Sequence, residues 1–532
     1  MPTPKRAFVA AGTAVAAVAL AACGTTAPLK ERLELQAVAN GQGVTGLPAG
    51  ATVGVGSGDT SPPAAGVPST SGAASSAAAP DTVATGGAVG PAAPTAGTST
   101  TAGPPAATSS TPSNRASSAG KPSAAASTSV KALTGPVQLG FLSTDTSNAG
   151  SLGLSAGQTV TNTAIINAAV KGMNAQGGVG GRQIQAVIAG TDTGGGNWAN
   201  EFQAACSKLT EDNHVAAVLG YEFLSLPQFE QCLAQAHIPH LDEGYEVGDV
   251  GAFGKYPALF SLAAPSVDRS ELLPLAGAVA DGLLTSANKL GLMVGQCGDE
   301  QAAYQRTVAP YIASHHLNVK ATATISCANG SGDAGSVAAQ TSSAVLRFKS
   351  LGVDRVVTAS IPAVLFAATA DTQGYHPEYL VTSTAGGAAI GPNVGKGQAA
   401  HFHGYGYFPP VDVDPAHAPA QTPGQKRCLA LMKGQGLAPQ GYGDYMLMYT
   451  TCDALFLYDA ALKASAGRTD QASVINAING LGSSFQSATA FGGVTHFSAA
   501  QHDDTVMYQA FAYDTGCSCF VYQGSPKAIP AS

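Results

Sequence analysis

The residues of this sequence that could do chemistry begin with a serine between glycines. Gly153, Ser155 and Gly157 match the pattern Gly-x-Ser-x-Gly, which carries the nucleophile of many serine hydrolases. That motif needs a tight turn placed directly between a strand and a helix. Here about ten residues separate it from the apolar run 137–141, and a chain with 65 glycines produces such patterns by chance. We therefore expect no catalytic role for Ser155, and a secreted serine hydrolase stays as the disfavoured alternative.

Two other stretches have the residue types of a metal or nucleotide site. His401 and His403 could bind a metal, but no cysteine or acid stands beside them, and their alternation around Phe402 fits a strand better. The glycine-rich segment 54–58 lacks the flanking strand and helix that a dinucleotide site requires. We therefore predict no metal, no cofactor and no enzymatic activity.

The cysteines indicate an oxidising compartment. Of nine cysteines, one is Cys23 and the other eight follow residue 200. No Cys-x-x-Cys pair occurs, and Cys517 and Cys519 have no second pair with which to bind a metal. An even number of cysteines outside the cytosol is typical of disulfides. Eight cysteines allow 105 pairings, so their number leaves the connectivity open.

The N-terminus has the pattern of an export signal. Lys5 and Arg6 precede an uncharged, apolar run over residues 7–22, which is too short and too rich in alanine and glycine for a membrane-spanning helix. The run ends in Leu-Ala-Ala-Cys at Cys23, which resembles the lipobox of bacterial lipoproteins. That resemblance implies cleavage after residue 22, a lipid on Cys23, and a location on the outer face of the cytoplasmic membrane. A plain signal peptide with an incidental cysteine is the alternative.

Composition then divides the chain into a tether and a folded part. Residues 23–135 consist mostly of Ala, Ser, Thr, Gly and Pro, which cannot bury enough apolar surface to offset the entropy of ordering. We predict a flexible tether there. The net charge of −8 is spread thinly, with 11% charged residues, and lacks the clustered Lys and Arg of a nucleic-acid-binding protein.

Beyond the tether, apolar strands alternate with amphipathic helices. The order appears first over residues 137–262 and starts again after residue 263. Alternation at this spacing predicts βαβ units and parallel sheets. Because roughly 390 residues exceed one ordinary core, we predict an α/β fold with two similar halves.

Several stretches then match one family in register. Residues 166–184, INAAVKGMNAQGGVGGRQI, resemble the first helix and hairpin of type I periplasmic substrate-binding proteins. Residues 208–220, 446–467 and 491–504 resemble later segments of the same family. The resemblance covers about residues 137–522 and is closest to the branch that serves branched-chain amino acid and amide transporters.

This resemblance implies two Rossmann-like lobes joined by three hinge crossings, near Leu262, His401 and Gly482. The first lobe would combine 137–262 with 405–482, and the second would combine 263–404 with 483–525. Disulfides that respect the lobes would be Cys206–Cys232, Cys297–Cys327, Cys428–Cys452 and Cys517–Cys519.

Ligands of open parallel sheets sit beyond the carboxyl ends of the strands. The predicted ligand-binding residues at those ends are Thr146, Tyr221, Glu222, Ser225, Asp242, Glu243, Tyr245, Tyr304, Ser360 and Thr384. By resemblance to amino-acid binders, Ser225 and the backbone of 243–245 would hold a ligand carboxylate, and Tyr304 would receive its ammonium group. The usual acidic partner is missing from 382–386, whereas Glu222, Asp242 and Glu243 make the first lobe negative. A more cationic ligand, or one bound in reverse, would fit this difference.

The function predicted from these features is capture of a small polar solute, such as an amino acid or amide, for an ABC permease. The partners would be the solute, the permease and, through the lipid, the membrane, with no nucleic acid. A sensor of the same fold that signals to a membrane partner is one alternative. A degenerate domain that binds only other proteins is another.

Overall fold

The computed structural model describes residues 135–145, 157–192, 194–220, 227–244, 248–358 and 362–531. The predicted signal peptide, Cys23, almost all of the tether and Ser155 lie outside these residues. Within them the chain forms two sheets, each covered by helices.

The first sheet has five parallel strands in the order β2-β1-β3-β4-β5. Their bounds are β1 (Val137–Asp145), β2 (Ile184–Asp192), β3 (Val218–Gly220), β4 (His240–Asp242) and β5 (Leu259–Ser261). Gly220 pairs with Asp242, and Asp242 pairs with Ser261, so the carboxyl ends of the short strands lie level at one edge.

The second sheet has seven strands in the order β12-β11-β10-β9-β8-β6-β7. Their bounds are β6 (Leu290–Gly295), β7 (Val319–Ile325), β8 (Arg355–Val357), β9 (Glu378–Thr382), β10 (Phe402–Gly406), β11 (Met507–Asp514) and β12 (Cys519–Ala528). Strands β6 to β10 are parallel, and the last two add an antiparallel edge. The βαβ alternation that the sequence predicts is therefore present in both sheets.

Fifteen α-helices lie among the described residues. In the first half of the chain they are α1 (Asn162–Ala175), α2 (Trp198–Ser207), α3 (Pro227–Gln235), α4 (Val250–Lys255), α5 (Val267–Ala280), α6 (Gly298–Ala303), α7 (Ala309–Ser314) and α8 (Ala334–Ser350). The remainder are α9 (Pro362–Thr372), α10 (Gly387–Ile390), α11 (Lys396–Ala399), α12 (Pro409–Asp412), α13 (Pro423–Lys433), α14 (Tyr442–Ala464) and α15 (Gln471–Leu481).

The first helix and hairpin show how the sequence dictates local structure. Thr161 caps α1 by accepting from the Ala164 N–H, and the helix ends where Gly177 and Gly178 take positive φ. A Cβ on Gly178 would lie 1.8 Å from the Arg182 carbonyl oxygen, so only glycine fits this turn. Asn174 then bonds both the N–H and the carbonyl of Ile184, which fixes the start of β2.

Helix α14 is the buried centre of the fold. Leu447, Leu455 and Leu462 are at most 1% exposed, and its neighbours include α1, α13, α15 and β3. In the part of the chain that the structure describes, no helix is both long and apolar enough to cross a membrane. We call the first sheet with α1–α4 and α13–α15 the first lobe, and the second sheet with α5–α12 the second lobe.

Two of the three predicted crossings lie at other positions in the structure. Strand β10 pairs with β9 through Tyr405, so the chain leaves the second sheet after Gly406 and not near His401. Residues 483–503 stay with the first lobe, where Ser487 and Ala488 bond to Asp453 of α14. The third crossing therefore follows Asp503, which bridges Ser261, and not Gly482. The crossing at Leu262 lies where β5 ends.

The eight paired cysteines form the four disulfides given by the resemblance, with Cα–Cα distances of 5.2–6.5 Å. Cys206–Cys232 joins α2 to α3, and Cys428–Cys452 joins α13 to α14, all within the first lobe. The other two lie within the second lobe, so none of the four disulfides among the described residues joins one lobe to the other.

Candidate ligand-binding site

The carboxyl ends of the strands of both sheets carry the residues that the sequence singled out. Six of these residues lie outside the described part of the chain: Thr146, Tyr221, Glu222, Ser225, Tyr245 and Ser360. The structure places the remaining four, Asp242, Glu243, Tyr304 and Thr384.

Asp242 and Glu243 are buried and turned into the first lobe. The Asp242 carboxylate accepts from the Gly244 N–H at 2.7 Å, and the Glu243 N–H donates to the Gly220 carbonyl at 3.0 Å. Both of these backbone donors are therefore engaged within the lobe in the described arrangement, and the predicted role of the 243–245 backbone in holding a ligand carboxylate stays a prediction. The Glu243 side chain bonds to Thr450 of α14, and burial raises its pKa to about 8.

Thr384 belongs to a hydroxyl cluster at the second crossing. Its Oγ1 lies 3.1 Å from the Tyr407 hydroxyl, which also bonds Ser270 of α5. Ser383 accepts from the N–H groups of Tyr407 and Phe408. These hydroxyl groups hold the crossing to α5, so Thr384 has a structural role in the described arrangement.

Tyr304 begins a π-helical turn, Tyr304–Val308, that joins α6 to α7. Its ring is half-buried against the main apolar core. The same turn carries Arg306, which the sequence analysis did not single out and which faces the first lobe.

Arg306 joins the two lobes through carboxylates. Its guanidinium pairs with Asp249, which caps α4 of the first lobe, and with Asp268 in the first turn of α5. Asp268 also accepts from the Val250 N–H at 2.8 Å, so it too contacts the first lobe. Asp299 accepts from the Asp249 N–H, and burial with the nearby acids raises its pKa to about 6. We call Arg306, Asp249, Asp268 and Asp299 the inter-lobe cluster.

A second contact joins the lobes at the far strands. The Trp198 N–H donates to the Asn329 carbonyl, and the Ser331 N–H donates to the Gly195 carbonyl. These residues follow β2 in the first lobe and β7 in the second. The two lobes are therefore in contact at two separate places, the inter-lobe cluster and these backbone hydrogen bonds.

Glu300 places a buried carboxylate at the end of β6. One of its oxygens accepts from the Cys297 N–H at the start of α6, whereas Oε2 has no hydrogen-bond partner among the described residues. Glu271 of α5 lies close enough that Glu300 raises its pKa, and burial, with Asp299 adding to it, raises the pKa of Glu300 to about 7. Among the described residues, no basic side chain acts on either carboxyl group of this pair. This pair gives the second lobe acidic side chains, which are missing from residues 382–386.

A cavity of about 280 Å³ lies elsewhere, between the second crossing and α14. Pro410, Pro419, Tyr445 and Tyr449 are among its lining residues, and none of the predicted site residues is. The aromatic and proline side chains make this cavity a distinct place at which an apolar group could bind.

Residues 136–513 match the sequence profile of a family described as periplasmic binding protein. The chain belongs to this family. The two parallel-dominated sheets agree with the two-lobed type I fold that the resemblance predicted.

Solved structures of ABC transporter solute-binding proteins share the fold of this periplasmic binding protein. One, from Rhodopseudomonas palustris BisB5 in complex with 3,4-dihydroxybenzoic acid, is 14% identical, with a TM-score of 0.53 over 74% of this chain and 98% of its own. The branched-chain amino acid transporter substrate-binding protein LivJ from Streptococcus pneumoniae, in complex with isoleucine, is 15% identical, with a TM-score of 0.52 over 74% and 99%. An ABC transporter substrate-binding protein from Aeropyrum pernix is 12% identical, with a TM-score of 0.56 over 75% and 97%.

A search of curated protein sequences found no match. At these identities the likeness to solved structures establishes the fold, and each bound ligand is a property of the protein that holds it.

The sequence alone gave little sign of the inter-lobe cluster. Arg306 lies 57 residues from Asp249 and 38 residues from Asp268. An isolated arginine in a helix is ordinarily a solvated charge. The available signal was its position two residues after Tyr304, in a helical segment that follows a strand end.

Replacing Arg306 tests whether the cluster holds the lobes together. Arg306→Gln leaves Asp249 and Asp268 without their cation, so we expect the closed arrangement to lose about 1–3 kcal/mol. That loss corresponds to about 5- to 150-fold in the opening equilibrium. Amide hydrogen exchange at the distant contact, residues 194–198 and 329–331, should accelerate accordingly. Arg355→Gln, which removes an arginine bonded only within the second lobe, is the matched control, and equal exchange in both variants would contradict the expectation.

The buried carboxylates also predict how stability depends on pH. Burial raises the pKa of Glu243 to about 8, Glu300 to about 7 and Asp453 to about 6, against about 4 in an unfolded chain. The folded protein therefore binds these protons more tightly, and the free energy of unfolding should fall as pH rises from about 5 to about 8. Below about pH 4.5 the trend reverses, because two histidines hold the pKa of Glu378 at about 2.

Denaturant unfolding of the full chain at several pH values measures this trend. Glu243→Gln should flatten the decline between pH 7 and 8, since glutamine stays neutral. Glu211→Gln, at an exposed position, should keep the slope of the unaltered chain. Stability that increases steadily from pH 5 to pH 8 would contradict this account.

Proposed function

We propose that this chain captures a small solute bearing an amino group, such as an amino acid or amide, and delivers it to an ABC importer. The observation that carries the proposal is Glu300 with its unpartnered, buried Oε2 at the strand end of the second lobe. A buried carboxylate oxygen without a donor is costly, and an ammonium group would supply the missing donor.

The surrounding charges favour an amine over a free carboxylic acid as the recognised group. Arg306 is engaged by two aspartates, and Arg269 pairs with Asp503 at 2.7 Å. These two described cations near the strand ends therefore already have anionic partners. The carboxylates of Glu271, Asp299 and Glu300 lie on the second-lobe side.

The family relationship supports solute capture and not catalysis. Among proteins of the same fold, one holds isoleucine and another holds 3,4-dihydroxybenzoic acid. The charge distribution described above favours the first kind of ligand for this chain. Closure would then follow from ligand contacts made to both lobes, which shift the population towards the closed state.

Lipid anchoring completes the proposal. The Leu-Ala-Ala-Cys sequence would place a lipid on Cys23, and residues 24–135 would act as a tether from the outer face of the cytoplasmic membrane. Stable attachment by lipid requires more than one acyl chain, as the diacylglycerol of a lipoprotein provides.

A thermal-shift screen of the full chain tests solute capture. The panel is amino acids, their amides, polyamines and hydroxybenzoates. A solute at a hundred times its Kd adds about 2.7 kcal/mol, which raises Tm measurably. We expect the shift from an amine-bearing solute, with affinity rising between pH 6 and pH 8 as Glu300 ionises. Glu300→Gln should weaken binding about tenfold or more.

Two variants distinguish the outcomes of this screen. Glu211→Gln is the matched control and should keep full affinity, because it lies far from the strand ends on the surface. Tyr445→Ala alters the separate apolar cavity and should also keep full affinity. Loss of binding in Tyr445→Ala alone, or a response only to hydroxybenzoates, would reject the amine site at Glu300.

Cys23→Ser tests the anchor. In cells that process lipoproteins, we expect the variant to move from the membrane fraction to the soluble fraction and to lose incorporation of labelled fatty acid. The unaltered chain is processed in parallel. A variant that stays in the membrane fraction would show that another feature attaches the chain.

A further inference from the structure

Three side chains of the types that bind metals meet inside the first lobe, away from the carboxylate of Glu300. Glu230 comes from α3, whereas His240 and Asp242 are two residues apart on one face of β4. Each offers one ligand atom, and the three atoms lie within 4.8 Å of one another. All three residues are at most 4% exposed.

The histidine of this cluster is incompletely satisfied. Its Nδ1 lies 2.6 Å from Glu230 Oε1, but its Nε2 is buried and has no hydrogen-bond partner among the described residues. The ring is also packed edge-on against Phe229, at 5.6 Å between centroids, which excludes water from that side. Nδ1 is therefore the ring nitrogen that faces Glu230, and Nε2 is a second buried nitrogen whose hydrogen-bonding capacity is unmet by the described residues.

The charges around His240 also favour a bound cation. The carboxylates of Glu230 and Asp242 lie around the buried imidazole, and Glu230 bonds it directly. A divalent cation would balance these carboxylates and would replace the proton of the imidazole.

We propose that Glu230, His240 and Asp242 bind a divalent first-row transition metal ion, with Zn²⁺ as the probe. Imidazole with carboxylates is a donor set that suits such ions, and three protein ligands leave one position for water. The ion would fasten α3 to β4 directly beside the strand ends of the first lobe.

A second cluster of possible metal ligands among the described residues is not available to bind the ion. His417 lies close to Cys517 and Cys519, but the disulfide between these cysteines leaves no thiolate for a metal. A more serious competitor is Glu378, whose two oxygens contact His401 and His403 at 3.0 and 2.7 Å. It serves as the matched control, because it presents a histidine–carboxylate pair outside the proposed site.

The experiment measures zinc retained by the full chain. The purified protein is stripped with a chelator, dialysed against micromolar Zn²⁺ with a competing chelator, and analysed for bound metal; Co²⁺ in place of Zn²⁺ reports coordination through its visible absorption. We expect one equivalent in the unaltered chain and in Glu378→Gln. In Asp242→Asn and His240→Gln the affinity should fall by more than the 10- to 100-fold typical of losing an outer-shell partner.

Circular dichroism and cooperative melting establish that each variant is folded, and Asp242→Asn, which preserves shape, carries the test if His240→Gln does not fold. Failure of the unaltered chain to retain zinc overturns the site and leaves a buried ion pair. If Asp242→Asn retains zinc as well as the unaltered chain does, the metal lies elsewhere and the proposal is overturned. The same holds if Glu378→Gln loses its zinc.

Discussion

The arrangement of the two lobes depends on a pairing between chain positions that are about 240 residues apart. The Ser261 N–H donates to the His502 carbonyl, and the Asp504 N–H donates to the Ser261 carbonyl. His502 also stacks on Phe260 at 4.7 Å, and Asp503 binds Arg269 at the start of α5. The first and third crossings are thereby hydrogen-bonded side by side, and the chain continues from the third crossing into β11 of the second sheet.

Buried carboxylates secure this pairing from the side of α14. Asp453 accepts from the Ser487 hydroxyl and the Ala488 N–H, and the Thr489 hydroxyl lies within hydrogen-bond distance of both Asp453 and the Leu262 carbonyl. Each bond satisfies a backbone or hydroxyl group that the crossing would otherwise bury without a partner. The consequence is a concentration of acid near the hinge, with burial and neighbouring acids raising the pKa of Asp504 as well.

How much of this could be read from the sequence differs between elements. Strands such as β1 and β6 were predictable because continuous apolar runs between helices are typical of buried parallel strands. The hairpin after α1 was predictable because Gly177 and Gly178 end the helix. The second crossing was misplaced although a strand was expected around Phe402, because the local sequence does not show that this strand pairs with β9 and β11 inside the second sheet.

The site was harder to predict than the fold, for a physical reason. Asp242 and Glu243 follow a strand, which is where ligands of parallel sheets bind, but the direction of a side chain depends on neighbours distant in sequence. Glu243 turns towards Thr450, more than 200 residues away. His401 and His403 were judged to lack a nearby acid, yet the structure brings Glu378 between them from the adjacent strand.

The inter-lobe cluster and a ligand would act on the same equilibrium. Contacts between Arg306 and its aspartates stabilise closure without any solute, so a larger fraction of the chain is already closed when the solute arrives. A solute that binds the closed state then loses less free energy to the conformational change, and its apparent affinity rises with that fraction. Contacts that are too strong would shut the strand ends off from solvent. Because the Arg306 side chain is 38% exposed, its ion pairs are weakened by water, which keeps closure reversible.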